Sequence, residues 1–318
     1  MSKSHFPHEI AFDGLAPADA FAVLGNETRF AIIQALWDAG AHHEYDDLDA
    51  SLTSIPFSEL QRAVGLTDNG KFNYHLSKLI PHFVRQTDEG YCLSVSGRQI
   101  ARAVVAISGE RLALGTGDLH TSCPLCDGSL TATYEDQWLQ ITCSSCPGEF
   151  GDAVPDGAIY HAPFPPSGLT DRTPDEAYST GIFRCMLDLT YLTRGICREC
   201  AGAVDATVEI CEDHQPEAAT PCQECGTFFS SWADLRCGTC RFAKRLPVQL
   251  CVFGFTPVIS HLFEQGVDIL TPSLDEFDAI ESHIRTDIET DPLRVTVSLP
   301  DELGVTVDEK LTLVDIEH

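Results

Sequence analysis

Apolar positions in the first hundred residues recur with a helical period. Pro17 opens a helix carrying Phe21 and Leu24, and Asn26 stands where the next helix needs an N-cap. Phe30, Ile33 and the pair Leu36–Trp37 then repeat at three- to four-residue steps, the mark of one buried helical face. Phe57-Ser58-Glu59-Leu60 starts a short helix with Leu60 and Val64 apolar, and Gly65 ends it. After a turn at 66–70 the spacing predicts a helix over Lys71–Ile80, stopped by Pro81, with Phe72, Leu76 and Leu79 as its inward stripe. Residues 83–95 alternate around Asp88-Glu89-Gly90 as a β-hairpin would. Ser96 is the expected cap of a last helix bearing Ile100, Ala103 and Val104.

Further along, the period shortens to two. Residues 130–134 and 138–142 alternate as paired strands. A stretch rich in proline, glycine and aspartate, Gly151 to Pro174, reads as a linker or an extended packing segment. Apolar helices are predicted near 249–265 and 274–286, followed by strands at 294–299 and 310–316, with 304–307 continuing the same sheet. The expected fold class is α+β. The expected divisions are 10–117, 118–150 and 151–318.

Charge changes the picture next. The 318 residues carry 48 acidic and 20 basic side chains, a formal −28, and five of the basic ones are lysine. A carboxylate surface spread along the whole chain, with arginine favoured over lysine, is what solubility in multimolar salt selects, so a protein of an extreme halophile is expected. Between Ser58 and Arg102 the balance reverses, with six basic residues against four acidic. No apolar run approaches the ~18 residues that span a bilayer. Met1 to Ile10 has no apolar signal core, so a cytoplasmic chain with no membrane partner is expected.

The cysteines supply the chemistry. Ten of fourteen sit in five C-x2-C pairs, Cys123/Cys126, Cys143/Cys146, Cys197/Cys200, Cys222/Cys225 and Cys237/Cys240, and Cys211/His214 has the same spacing. In a reducing compartment paired cysteines read as metal ligands before disulfides. Twelve ligands are what three closed tetrahedral Zn2+ sites require. Cys123/Cys126 with Cys143/Cys146 makes a zinc ribbon over 118–150. In the later cluster, Cys222/Cys225 with Cys237/Cys240 and Cys197/Cys200 with Cys211/His214 is the sequential reading, and pairing across the clusters stays open. Full knuckles leave no vacancy for a catalytic water, and no His-Glu-x2-His occurs, so structural zinc and no enzyme activity are expected. Cys92, Cys185 and Cys251 read as packing residues, and His42-His43 with Asp46 and Asp47 as a solvated loop.

Leu24-Gly25-Asn26-Glu27-Thr28-Arg29, Phe57-Ser58-Glu59-Leu60 and Gly70-Lys71-Phe72-Asn73-Tyr74-His75-Leu76-Ser77-Lys78-Leu79, closed by the hairpin up to Ser96-Gly97, carry a resemblance. Over 17–113 the chain resembles ArsR-like winged helix-turn-helix regulators of the haloarchaeal type. The resemblance implies a sequence-specific transcription regulator that reads double-stranded DNA as a homodimer. By position, Asn73, Tyr74, His75 and Ser77 are expected at base edges or backbone, with Lys71, Lys78 and Arg85 on phosphates. The family's metal-sensing cysteines are missing from Phe57–Val64. A winged helix followed by a zinc ribbon is also similar to archaeal initiation factors, which makes contact with the transcription machinery the alternative. A thiol-redox or zinc enzyme is the second.

Overall fold

The computed structural model describes residues 16–41, 54–80, 82–108, 117–216, 220–270, 276, 279–280 and 283–317. The chain divides into two compact units, Met1–Gly109 and Glu110–His318. The His42-His43 loop and most of the helix expected over 274–286 lie outside the described residues.

In the first unit α1 (Pro17–Leu24) and α2 (Glu27–Asp38) precede α3 (Phe57–Val64) and α4 (Asn69–Leu79). Asn26 Oδ1 accepts from the Arg29 amide at 3.2 Å, capping α2. Gly65, left-handed at φ 74°, ends α3, and Asp68 Oδ1 accepts from the Lys71 amide at 3.0 Å. That cap starts α4 two residues before the expected Lys71. The hairpin β1 (Val84–Gln86) and β2 (Tyr91–Leu93) follows, with Ile55 bridged to Tyr91 on its outer side. Then comes α5 (Val95–Ile107), capped by Ser94 and not by the expected Ser96. Ser94 Oγ accepts from the Gly97 amide at 3.1 Å and donates to the His82 carbonyl at 2.6 Å, so it joins the helix to the chain entering the hairpin. Ile32, Leu36, Leu60, Phe72, Leu76, Leu79 and Leu93 fill the core.

The second unit is α+β as well. A sheet in the order β3 (Gly117–Ser122), β4 (Ser129–Glu135), β5 (Trp138–Cys143) and β6 (Ala158–Pro163) has every neighbour antiparallel. Strand β6 comes from the stretch read as a linker or an extended packing segment, and it is the second of these. The ribbon is therefore not a separate division at 118–150: residues of this sheet share one buried core with the rest of the unit. A 19-residue helix, α6 (Pro174–Leu192), starts with a capping box in which Thr173 and Glu176 bond reciprocally.

Three more strands, β7 (Val204–Ile210), β8 (Ser231–Cys237) and β9 (Ala243–Pro247), form a second antiparallel sheet. The apolar stretch predicted as one helix over 249–265 divides into α7 (Val248–Cys251), a 3-10 turn and α8 (Thr256–Glu264). Pro257 suits the start of a helix, and Gly254 lies so close to α6 that a Cβ there would stand 2.5 Å from the Leu189 carbonyl. Last comes the meander β10 (Arg285–Thr290), β11 (Leu293–Ser298), β12 (Gly304–Asp308) and β13 (Leu313–Glu317), more strands than the alternation at 294–316 announced. The Val208 amide donates to the Glu309 carbonyl at 2.9 Å, tying β7 to the turn after β12.

Gly97 gives the first unit a testable weak point. A Cβ at that position would lie 2.0 Å from the Phe83 carbonyl oxygen, where α5 crosses the hairpin. Gly97→Ala is expected to cost about 1–3 kcal/mol, read as a lowered denaturant midpoint for the first unit's transition.

Candidate metal centres and the exposed face of α4

Eight of the twelve predicted ligands are set by one repeated turn. In four knuckles the residue after the second cysteine takes a left-handed conformation: Asp127, Ala201, Gly226 and Arg241, at φ 58°, 57°, 69° and 65°. Its amide donates to the carbonyl of the first cysteine, at 2.9, 2.8, 2.7 and 3.2 Å respectively. The first cysteine's own amide donates to the carbonyl five residues on, from Cys123 to Gly128 and likewise from Cys197, Cys222 and Cys237. The chain curls so that both thiols point to one side. Glycine occupies the left-handed position once, so this turn is invisible to a search for glycine; Gly238, next to Cys237, has no such conformation.

All twelve predicted ligands assemble into three groups of four, with the ligand atoms of each group within 4.8 Å of one another. Cys123, Cys126, Cys143 and Cys146 form the first, as expected. Sulfur–sulfur distances there are 3.6 Å for Cys123–Cys146 and 3.5 Å for Cys126–Cys143. A disulfide needs ~2.05 Å. A tetrahedral cation with ~2.3 Å bonds to sulfur needs edges of about 3.8 Å, so the geometry suits an ion and excludes a bridge.

The later cluster corrects the sequential reading. Cys197 and Cys200 join Cys237 and Cys240, while Cys211 and His214 join Cys222 and Cys225. The cause is the β7–β8 hairpin. Its register runs from Val204↔Cys237 to Ile210↔Ser231, so the knuckle before β7 meets the one after β8. The two inner knuckles meet at the other end, about 20 Å away along seven residues of strand. The alternation of Val204, Ala206, Val208 and Ile210 was the signal for this hairpin.

In the outer group Cys197–Cys240 and Cys200–Cys237 each stand at 3.6 Å. In the inner group His214 Nδ1 lies 3.5 Å from Cys225 Sγ, and its Nε2 lies 3.1 Å from the Phe228 carbonyl. That carbonyl can only accept, so Nε2 carries the proton and Nδ1 keeps its lone pair for a metal. Backbone amides prepare the sulfurs. Those of Gln215 and Cys225 lower the Cys222 thiol to about 6, and that of Cys240, followed by Thr239, lowers Cys237 to about 6. Cys240 goes the other way. The Phe242 amide lowers it, but burial and the sulfurs of Cys200, Cys197 and Cys237 push it up to about 12. One thiolate thus suppresses ionisation of its neighbours unless a cation compensates.

Two side chains hold the outer group to α6. Arg198, inside the first knuckle, reaches Asp188 Oδ1 at 2.6 Å, and Lys244, on β9, reaches Asp188 Oδ2 at 3.0 Å. Gly151 and Gly226 do a related task for the inner group. The Asp152 amide donates to the Gly226 carbonyl at 2.8 Å, and a Cβ on Gly151 would stand 2.2 Å from that oxygen. Of the cysteines expected to pack, Cys92 and Cys251 are buried, while Cys185 is half-buried.

In the first unit Lys71, Asn73, Tyr74, Ser77 and Lys78 of α4 are exposed, as is Arg85 on β1. Ser77 Oγ donates to the Tyr74 carbonyl at 2.9 Å, and Lys78 Nζ lies 5.7 Å from the centre of the Tyr74 ring. His75 departs from expectation. It is 8% exposed, on the same helical face as Phe72, Leu76 and Leu79, and its Nδ1 has no hydrogen-bond partner among the described residues. Burial first, then the Arg29 and Lys71 cations, lowers its pKa. A neutral, inward imidazole is a core residue and is removed from the contact set.

Three closed four-ligand groups and an exposed polar helix define a metal-binding α+β protein with a separate helical unit. Residues 120–313 match the model of a family described as Domain of unknown function (DUF7351), and the chain belongs to that family. Residues 17–104 match a second, Domain of unknown function (DUF7347). No curated protein and no solved structure shows a significant match to the chain. Among the described residues no helix is long and apolar enough to cross a membrane.

The nested pairing is open to direct test by metal content. Cys197→Ser with Cys237→Ser is expected to lose one metal ion per chain, because both ligands serve one group. Cys197→Ser with Cys222→Ser should lose two. Elemental analysis of the purified variants separates this from the sequential pairing, which requires the first double variant to lose two.

Proposed function

We propose that the protein is a sequence-specific, DNA-binding transcription regulator of ArsR-like winged-helix type, acting in the cytoplasm, with three structural zinc ions in its second unit. The observation that carries the DNA reading is the exposed face of α4. It presents an amide, a hydroxyl, a phenol and two ammonium groups side by side, in a stretch that is net positive within a chain of −28. Asparagine reads adenine in the major groove with two hydrogen bonds, lysine and arginine take phosphates, and Arg85 sits on the hairpin next in sequence. In molar salt counterion release contributes little, so recognition rests on hydrogen bonds and shape. Phe21 of α1 and Val104, Val105 and Ile107 of α5 stay exposed and support a second copy of the chain as partner, as paired half-sites would use.

Zinc follows from the donors. Thiolates with one imidazole, closed and tetrahedral in spacing, suit an ion with no geometric preference of its own. Elemental analysis is expected to find about three zinc ions per chain. Its removal by a chelator should unfold the second unit, seen by circular dichroism, since each site supplies on the order of 10 kcal/mol.

For DNA, genome-wide occupancy of the tagged protein is expected to yield a defined operator. Asn73→Ala with Tyr74→Ala should weaken binding to it by roughly 10- to 100-fold in high salt, while His75→Ala should act through stability. Occupancy that follows polymerase without a shared sequence would overturn the regulator reading in favour of an accessory factor.

A further inference from the structure

Of the three cysteines outside the metal groups, Cys92 and Cys251 are 2% and 0% exposed. Cys185 alone is open in part to solvent, and it also faces a cation. Lys244 Nζ donates to Cys185 Sγ at 3.7 Å and to Asp188 Oδ2 at 3.0 Å. Cys185 and Asp188 are one turn apart on α6, so Lys244 bridges the thiol and the carboxylate. Arg198 binds the other oxygen of Asp188 at 2.6 Å. Burial disfavours the Lys244 ammonium, but Cys185 and Asp188 more than offset it and hold its pKa above the ordinary value. The lysine is therefore charged, with its N–H groups turned to the thiol and the carboxylate.

We propose that Cys185 and Lys244 form a peroxide-reactive site, in which Cys185 is oxidised to a sulfenic acid by hydrogen peroxide or a small peroxide of that class. Sulfur attacks one peroxide oxygen, an S–O bond forms and the O–O bond breaks. Sulfur gives up two electrons, and the departing oxygen takes them with a proton. Cys185 reacts as the thiolate, its own proton having passed to solvent. Lys244 is placed to protonate the departing oxygen and takes a proton back from solvent, so one thiol and one peroxide give one sulfenic acid and one water. The eleven other exposed or buried ligand sulfurs compete poorly because a bound cation holds their lone pairs.

The test uses the full chain with its metal in place. Hydrogen peroxide is added with a sulfenic-acid trap such as dimedone, and mass spectrometry of the digest ranks the cysteines. Cys185 is expected to label first. A native-state rate no faster than that of Cys92 or Cys251 would overturn the proposal. The second measurement compares peroxide oxidation with alkylation by iodoacetamide, whose iodide leaving group needs no proton. Lys244→Met should slow oxidation about tenfold or more while changing alkylation much less, and Lys244→Arg, which keeps the cation but cannot release a proton, should leave oxidation slow. Equal changes in both rates would mean that the variant alters only exposure, and the role of Lys244 would be withdrawn. Metal content measured alongside distinguishes either result from loss of the fold.

Discussion

Four sulfurs cannot stand 3.5–3.6 Å apart as thiolates unless something between them carries positive charge. That constraint organises the second unit. Without a cation, one ionised thiol keeps its neighbours protonated, as the opposed shifts of Cys237 and Cys240 show. With one, the knuckles close, and each closure fixes where two strands begin or end. The first group sits where β3 ends and β5 ends, and the other two lie at opposite ends of β7–β8. The apolar core then fills between sheets whose ends are already positioned.

The first unit answers to a different constraint, side-chain capping and apolar stripes without any metal group among its described residues. Asn26, Asp68 and Ser94 each satisfy an amide that a helix N-terminus leaves unpaired. Phe72, His75, Leu76 and Leu79 lock α4 against the other helices, leaving its remaining face to solvent. The chemistry available there is that of hydrogen-bond donors and cations on a rigid rod, which is why the proposed function resides on this helix and the metal groups are read as scaffold.

Much of this is legible in the sequence, and where it is not the causes are physical. All twelve ligands were visible because paired soft donors at fixed spacing have few other uses in a reducing compartment. Their partners were not, because pairing depends on the register of β7 against β8, which the spacing of the knuckles alone does not carry. Strand β6 is legible only as a linker or an extended packing segment, because prolines and glycines flank Ala158–Pro163 and mask its alternation. His75 was misplaced because its polarity outweighed its position. The spacing 72, 75, 76, 79 is an i, i+3, i+4, i+7 face, and the period was the better guide. Ser94 and Ser96 are equally able to cap, and the choice fell to the one that also reaches the His82 carbonyl.

Nesting has a consequence for how the chain acquires its ions. Seven residues separate His214 from Cys222, whereas thirty-six separate Cys200 from Cys237. Joining the ends of the longer segment first costs about 1.5 kcal/mol more in chain entropy. Once the short segment is closed, the hairpin delivers the outer knuckles to one another and that difference disappears. Chain entropy therefore favours closing the inner group before the outer one.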